Sequence, residues 1–365
     1  MGSGGLTMGG QSNDYLSIMY QDIKLATFNR RNGQAVIDRE DLFPFDLYLT
    51  ESDDFDDRLN NVTNFNSWCA SRVLPLDRKY AKEILNFYGY KQAITDKDRA
   101  DIALFCSCVS LQDCFWVKPA DDTRDWSSTN LFQNSLSDTV LEVALLGKSL
   151  TMTNTEIVTP DFSTDGTAPK AWIRREHDFF LYKGDVNDSV TREVEASRIL
   201  QEIGIPAVQY REKIFMENRV AVCKCFTSEE VNLVRAGDYA LWCDNHDLDF
   251  AEILCKYSRE FELMNLGDFL VGNNDRHSQN WGFVYDSTRT MTGFAPVIDF
   301  DHAFLAGEDT RCLPMLLVGE EISQKDYALR IISKYRSELN FDMDYRKYKY
   351  GRWVKDRVDT LLNQR

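Results

Sequence analysis

The sequence feature that most constrains this chain is a dense polar segment between two apolar ones. Within GDFLVGNNDRHSQNWGFVYD, residues 267–286, six consecutive positions hold Asp275, Arg276, His277 and Asn280. Polar side chains at such a junction need hydrogen-bonding partners if they are buried. Asp and Asn bond to neighbouring backbone at turns and helix caps, so any one of these residues alone fits a cap. The segment must therefore either cap a turn or form part of a functional site.

The spacing of these residues also fits a site for phosphoryl transfer. Such a site needs hard oxygen ligands for a metal, a cation on the phosphates and a carboxylate for the incoming hydroxyl. Magnesium takes one or two protein carboxylates. Asp275 and Asn280 are five residues apart, as are the Asp and Asn in the catalytic loop of protein kinases, H-R-D-L-x-x-x-N. Together with a second acidic segment downstream, this pattern favours a site over a cap.

The second acidic segment follows a predicted β-hairpin. Residues 281–299, WGFVYDSTRTMTGFAPVID, indicate two strands with a turn near residues 287–292. The second strand ends at Asp299, and Asp301 follows two residues later. A hairpin returns the chain to its start, so we expect Asp299 to lie beside Asn280 as a pair of metal ligands.

Upstream, a lysine and a glycine-containing loop fit a phosphate site. Lys183 ends the apolar strand DFFLYKG, where a lysine can extend to solvent at the sheet edge or bind phosphates. In the second case a glutamate from the next helix would hold it, and Glu193 and Glu195 are the candidates. The preceding loop STDGTAPKAW, residues 163–172, contains Gly166, whose backbone N–H can contribute to a phosphate nest.

Changes in residue composition along the chain divide it into four predicted segments. In chain order we predict a flexible tail of the kind left by cloning over residues 1–14, an N-terminal accessory domain over 15–150, and two lobes over 151–232 and 233–365. The boundary at residue 151 is placed where a run rich in Thr, Asp, Pro and Gly begins, because that composition is typical of loops.

The predicted elements change from strands to helices along the chain. KAWIRRE and DFFLYKG indicate two strands, SVTREVEASRILQEIGI a helix that Gly204 ends, and AVQYREKIFMENRVAVCKCF two more strands, the last central because it is nearly all apolar. Helical patterns dominate from Asp247 onwards. Residues 77–90 also show helical spacing, and the acidic run at residues 51–57 indicates a solvated loop. This order predicts an α+β, bilobal protein-kinase-like fold with a small β-rich N-terminal lobe and a mostly helical C-terminal lobe.

Composition excludes several classes of function. The formal net charge of −16 argues against binding nucleic acid without a partner, because a phosphate backbone is bound through Lys and Arg. No apolar run approaches the roughly 18 residues of a membrane span, and residues 1–10 lack the basic and apolar regions of a signal peptide. The nine cysteines form no CxxC and there are only four histidines, so we expect reduced thiols in a cytoplasmic protein rather than a zinc site.

Two motifs, GNNDRHSQNWGF and FAPVIDFDHAF, resemble the catalytic and metal-binding motifs of HipA-like kinases, serine/threonine kinases that include bacterial toxins. The resemblance spans residues 155–304. It implies ATP and Mg²⁺ as cofactors, Asp275 as the catalytic base with His277 in support, and Asn280 and Asp299 as metal ligands. Asp301 is an acid beyond the family pattern, so which of the two aspartates binds the metal stays open.

The resemblance also implies a nucleotide site. The family's loop S-x-x-G-x-x-P-K matches residues 163–170 with a single glycine, and the nucleotide lysine corresponds to Lys183. Glu193 is preferred to Glu195 as the lysine's partner, because its distance to the helix-ending glycine is closer to the family's spacing. The adenine would bond to backbone groups in VCKCFT. The implied nucleotide-binding residues are Ser163, Gly166, Thr167, Lys170, Lys183, Glu193, Lys224 and Cys225.

As a function, the resemblance implies phosphate transfer to Ser or Thr of a protein, with autophosphorylation in the glycine loop. Translation-related substrates and an antitoxin or other regulatory partner follow from the same likeness, in a toxin or an effector. Three alternatives stay open: a lipid or small-molecule kinase on this scaffold, an inactive kinase-like binding module, and a metal-dependent phosphoesterase using Asp299 and Asp301. The phosphoesterase would leave Lys183 without a purpose.

Overall fold

The computed structural model describes residues 14–73, 95–134, 169–305 and 322–363. In these ranges the fold is mixed α+β, with three antiparallel sheets and eight α-helices. The helix predicted over residues 77–90 lies outside the described residues. No helix in the described ranges is long and apolar enough to cross a membrane.

The first sheet contains β1 (Tyr15–Tyr20), β2 (Ile23–Asn29), β3 (Ala35–Ile37) and β4 (Phe115–Pro119) in the order β3-β2-β1-β4. Helices α1 (Phe55–Ser71) and α2 (Asp96–Phe105) pack against each other beside it. The Asp54 carboxylate caps α1 by accepting the N–H groups of Asp56 and Asp57. The prediction of a solvated loop over residues 51–57 is therefore wrong for its last three residues, which form the first turn of α1.

The second sheet matches the predicted pattern of two hairpins around a helix. It contains β5 (Lys170–Arg175), β6 (Asp178–Gly184), β7 (Arg211–Phe215) and β8 (Asn218–Lys224) in the order β5-β6-β8-β7. Strand β8 is central, as its apolar run predicted. Helix α3 (Ser189–Ile203) ends at Gly204, whose φ of 101° is a left-handed conformation that favours glycine.

The third sheet and the remaining helices follow. Strands β9 (Asn232–Arg235), β10 (Gly282–Tyr285) and β11 (Met291–Phe294) form a sheet in the order β11-β10-β9. The predicted hairpin is β10–β11, and its connection covers residues 286–290. The helices are α4 (Ala236–Asn245), α5 (Phe250–Cys255), α6 (Ser258–Val271), α7 (Gln324–Tyr335) and α8 (Gly351–Asn363).

Contacts from β1 and from the chain just before β4 hold the segment that joins the second sheet to the third. In this segment, residues 225–235, the Thr227 hydroxyl donates to the Leu111 carbonyl at 2.5 Å. The Asn232 amide donates to the Tyr20 hydroxyl at 3.1 Å. The main apolar core lies around α3, α6 and the third sheet, and a second lies between the first sheet and α1. The domain boundaries at residues 151 and 233 stay predictions.

Candidate active site

A cleft of about 310 Å³ lies where the second sheet faces the segment after α6. Most of the residues singled out in the sequence line it. These are Lys170, Lys183, Lys224, Cys225, Asp275, His277, Asn280, Asp299 and Asp301. Glu193 reaches the cleft through its bond to Lys183. Ser163, Gly166 and Thr167 of the glycine loop lie outside the described residues.

Lys183 is held by two carboxylates from distant parts of the chain. Its Nζ lies 2.5 Å from Glu193 Oε1 and 2.7 Å from Asp299 Oδ1. Glu193 projects from α3 and is 1 % exposed. The structure therefore brings Glu193, and not Glu195, to Lys183. A lysine buried between two acids cannot be extending to solvent at a sheet edge, so its charge is part of the interior of the cleft.

A second lysine faces the same space. Lys170 on β5 lies directly opposite Lys183 on β6, and both side chains are buried. Like charges at directly opposed strand positions repel each other, so a pair of this kind needs negative charge nearby. Asp299 and Glu193 supply negative charge at this point.

The pKa values in this cluster reflect burial and strong ion pairing. Burial alone lowers the pKa of Lys183, but the charges of Asp299 and Glu193 hold it well above its ordinary value. Burial alone raises the pKa of Asp299, whereas the ammonium groups of Lys183 and Lys170 keep it well below the usual range. Burial, together with the charge of Asp299, raises the pKa of Glu193 despite the ammonium of Lys183. Lys183 therefore remains an ammonium that is fixed in position.

The loop from Gly272 to Trp281 is shaped by its own asparagines. Asn273 Oδ1 accepts the N–H of Asp275 at 3.2 Å. Asn280 donates from Nδ2 to the Asp275 carbonyl at 2.6 Å and accepts the His277 N–H at 3.1 Å. These bonds fix the backbone on both sides of Asp275, whose carboxylate lines the cleft. His277 Nδ1 accepts the Gln279 N–H at 3.2 Å, as expected for a residue that orients the loop.

A buried ion pair under the loop was not predicted from the sequence. Arg276 bonds Asp268 of α6 through Nε and Nη2, both at 2.9 Å, and the two side chains are almost fully buried. Its Nη1 donates to the carbonyls of Asn280 at 2.9 Å and Ile298 at 2.8 Å. Arg276 thus ties α6, the loop and the strand before Asp299 together. The available signal was Asp268 itself, an acid in the apolar run NLGDFLVG.

Several possible metal donors lie close together next to the predicted ligands. Oxygen and nitrogen donors of Asp275, Asp301 and His302 lie within 4.8 Å of one another. Asp299 is paired with Lys183 instead, and the Asn280 amide is engaged in the loop. Carboxylates suit Mg²⁺ and imidazole suits transition metals, so this donor set fits a divalent cation. Asp301 thus lies in a group that could hold a cation, and His302 is a further donor that the DFDH sequence could have suggested.

At the opposite end of the cleft, one predicted adenine contact is not available. The Cys225 N–H donates to the Phe179 carbonyl at 2.8 Å within the second sheet, so it cannot also bond adenine in this conformation. The Lys224 ammonium is paired with Asp178 at 2.7 Å on an exposed surface. Apolar side chains that can pack on a flat ring line this end of the cleft, and they include Leu181, Val208, Phe226, Leu233 and Ile298.

Comparison with known proteins identifies solved structures that are similar to this fold. No protein-family model and no curated protein sequence matches this chain. A solved chain described as the Shewanella oneidensis MR-1 toxin–antitoxin system HipA, HipB and its operator DNA complex aligns with a TM-score of 0.56 at 13 % identity, covering 95 % of this chain and 97 % of that one. The Helicobacter pylori proinflammatory kinase CtkA aligns with a TM-score of 0.41 at 17 % identity, covering 53 % of this chain and 90 % of that one. The chain has the HipA-like, protein-kinase-like fold that its motifs predicted.

Proposed function

We propose that this chain is an ATP- and Mg²⁺-dependent kinase that transfers the γ-phosphate to a Ser or Thr hydroxyl of a protein. The observation that carries the proposal is the convergence of Lys183, Glu193 and Asp299 with Asp275 in one cleft. The HipA-like fold supports it. In this proposal the second sheet with α3 is the small N-terminal lobe, and the chain from about residue 233 is the C-terminal lobe. Residues 15–150 are the accessory domain.

The residues present fit a nucleotide and a metal. Lys183 and Lys170 would hold the phosphates, because two opposed buried lysines favour an anion between them. The apolar end of the cleft would hold the adenine. Asp301, Asp299 and Asn280 would bind Mg²⁺, which when bound supplies positive charge against the phosphate oxygens. Asp299 would then exchange part of its contact with Lys183 for the metal.

The phosphate transfer requires one proton-transfer step, to a residue of this chain. The Asp275 carboxylate accepts the proton of the acceptor hydroxyl while the hydroxyl oxygen forms its bond to the γ-phosphorus. The bond from that phosphorus to the β–γ bridging oxygen breaks, and ADP leaves with the electron pair. Lys183 compensates the charge on the phosphates from a position that Glu193 fixes. Arg276 keeps the loop that carries Asp275 in place through its buried bond to Asp268.

The acceptor and the partner are proposed from the likeness. The similar HipA chain was solved with HipB and operator DNA, so we include a regulatory partner protein in the proposal. The net charge of −16 disfavours binding of nucleic acid without such a partner. Translation-related substrates and a cytoplasmic location stay predictions.

Incubation with labelled ATP and Mg²⁺, alone and with cell lysate, tests the proposal. We expect label on protein, and no label with the Asp275→Asn variant under the same conditions. Label on a lipid or metabolite fraction instead would assign the chain to the small-molecule kinases. Absence of any labelled product, with ATP bound, would favour an inactive binding module.

We also propose that the glycine loop is an autophosphorylation site, with Ser163 as the acceptor and Thr164 and Thr167 as neighbours. Phosphate there would add about −1.5 to −2 charges beside the triphosphate and expel the loop. Mass spectrometry after incubation with ATP should find the modification within residues 163–167. Phosphate confined to other regions would contradict the assignment of the loop.

A further inference from the structure

Helix α3, which carries Glu193, is attached along its length to residues 340–353, here named the C-terminal clamp. Glu195 Oε2 accepts the Lys349 N–H at 2.6 Å, and Glu195 is 8 % exposed. The Asn340 N–H donates to the Ile203 carbonyl at 2.8 Å at the end of the helix. At the start of the helix, Lys349 Nζ lies 2.7 Å from Asp188. The glutamate that does not meet Lys183 thus has a structural partner of its own.

The same clamp contacts the chain just after the acidic segment. The Tyr350 ring stacks on Phe304 with 4.0 Å between centroids and 11° between planes. Trp353 contacts Phe304 edge-on, with 6.3 Å between centroids. The Phe304 N–H donates to the Val271 carbonyl at 2.6 Å, next to the loop that carries Asp275. One segment therefore holds both α3 and the downstream end of residues 299–305.

Helix α3 in turn holds the upstream end of residues 299–305. Arg192 Nε donates to the Asp301 carbonyl at 2.6 Å, and the Phe300 N–H points to Glu193 Oε1 at 3.5 Å. Asp299 has a φ of 65°, a left-handed conformation that costs a non-glycine residue about 1 kcal/mol or more and needs such support. A displacement of α3 would therefore disturb the partner of Lys183 and the metal donors together.

We propose that the C-terminal clamp positions α3, so that Lys183 and Glu193 are paired without a partner protein or a modification. This inference rests on the proposed kinase function. In protein kinases the pairing of this lysine and glutamate is a control point, because the helix that carries the glutamate can move. Here Glu195 and Tyr350 are positioning residues that act through α3 and through Phe304.

The test compares variants that break the clamp with variants that preserve it. Glu195→Leu removes the acceptor for the Lys349 N–H, and Tyr350→Ala removes the ring stack. Glu195→Gln keeps an acceptor oxygen at the same place, and Tyr350→Phe keeps the ring. Lys347→Ala is the matched control within the clamp, since its contact to Glu202 is 3.7 Å long and exposed.

Two readouts are needed. In a phosphate-transfer assay, Glu195→Leu and Tyr350→Ala should lower kcat about tenfold or more while KM for ATP changes less than about threefold. The three clamp-preserving variants should stay within about twofold of the wild type. Hydrogen exchange without nucleotide should show faster exchange in α3 and residues 299–305 for the two disruptive variants alone, at least about tenfold at the affected amides.

The outcomes separate the clamp from the kinase function. If the wild-type chain transfers no phosphate, the proposed function fails, while the exchange comparison still decides whether the clamp holds α3. Unchanged exchange and kcat in both disruptive variants overturn the proposal. Equal losses of kcat in Glu195→Leu and Glu195→Gln would also overturn the proposal, because the retained acceptor oxygen would then have no effect. The proposal would fail as well if both disruptive variants unfold while their conservative counterparts fold with reduced kcat, because the clamp would then be ordinary packing.

Discussion

Replacing Lys183 by alanine should destabilise the fold as well as weaken nucleotide binding. The ammonium lies 2.5 Å from Glu193 and 2.7 Å from Asp299, and the Lys183 and Glu193 side chains are 6 % and 2 % exposed. Without it, two carboxylates share a mostly buried site with no cation between them. A residue that served the phosphates alone could be removed with little effect on folding, so stability and binding must be measured separately.

The size of the effect follows from the burial of the cluster. Removing one partner of a buried ion pair costs about 3–5 kcal/mol. We expect the lower part of that range, because Asp299 is 27 % exposed to the cleft. This is still a large share of the about 5–15 kcal/mol that stabilises a typical domain. In the variant the carboxylates lose the ammonium that lowers their pKa, so the depressed pKa of Asp299 rises and the already raised pKa of Glu193 rises further. The destabilisation should therefore grow as the pH rises and shrink towards pH 5.

Urea unfolding at pH 5 and pH 8 measures this directly. Lys183→Ala with Glu193→Gln should regain part of the stability, because one buried charge is gone, but it should show no thermal shift with Mg-ATP. Lys224→Ala is the control, since this lysine of the same sheet is paired with Asp178 on the exposed surface and should cost less than about 1 kcal/mol. Equal unfolding free energies for the wild type and Lys183→Ala at pH 8 would refute the reasoning.

Three further variants test the rest of the cleft and one site outside it. Asp275→Asn should retain ATP binding and lose about 10²–10⁴ in transfer rate, because only the basic carboxylate is removed; near wild-type transfer would return this residue to a capping role. Asp301→Asn should remove the Mg²⁺-dependent part of the ATP thermal shift at least as fully as Asp299→Asn, and a milder effect would favour Asp299 as the main metal ligand. Burial and the charge of Asp238 raise the pKa of Asp46 to about 7, so its ionisation opposes folding and wild-type stability should fall as the pH rises from about 4 through about 7. Asp46→Asn keeps an oxygen for the Trp68 N–H and should remove that fall, worth up to about 1.4 kcal/mol per unit of pKa; an unchanged pH profile of the unfolding free energy would contradict this.

The second sheet and α3 could be predicted because their signals are local. Strands β6 and β8 are short apolar runs next to turn residues, and α3 has an apolar stripe at helical spacing that ends at a glycine. The closeness of Asp275 and Asn280 in the loop could be predicted for another reason. Asp275 and Asn280 are close in sequence, so their spacing alone carries the geometry.

What the sequence did not reveal depends on contacts between distant residues. Strand β9 is only four residues long, and it pairs with β10 nearly fifty positions later, so no local period marks it. The pairing of Arg276 with Asp268 requires a turn of the chain after α6 that brings the two together. The roles of Asp299 and Asp301 depend on which carboxylate reaches Lys183 across more than a hundred residues. Residue type and spacing in the sequence do not indicate which of two residues so far along the chain will contact Lys183.

The polar segment is open to two interpretations, a turn cap and a catalytic loop, and its hydrogen bonds are compatible with both. Asn273 and Asn280 do bond the local backbone, as caps do. Those bonds fix the peptide groups on both sides of Asp275, and Arg276 anchors the result on α6. The side-chain oxygen of Asn280 accepts both the His277 N–H at 3.1 Å and the Arg276 Nη1 at 3.3 Å, so a metal would have to replace one of these donors. Since the asparagines fix the backbone of the loop, Asp275 is the acid of this segment that lines the cleft, which is where the proposed general base is needed.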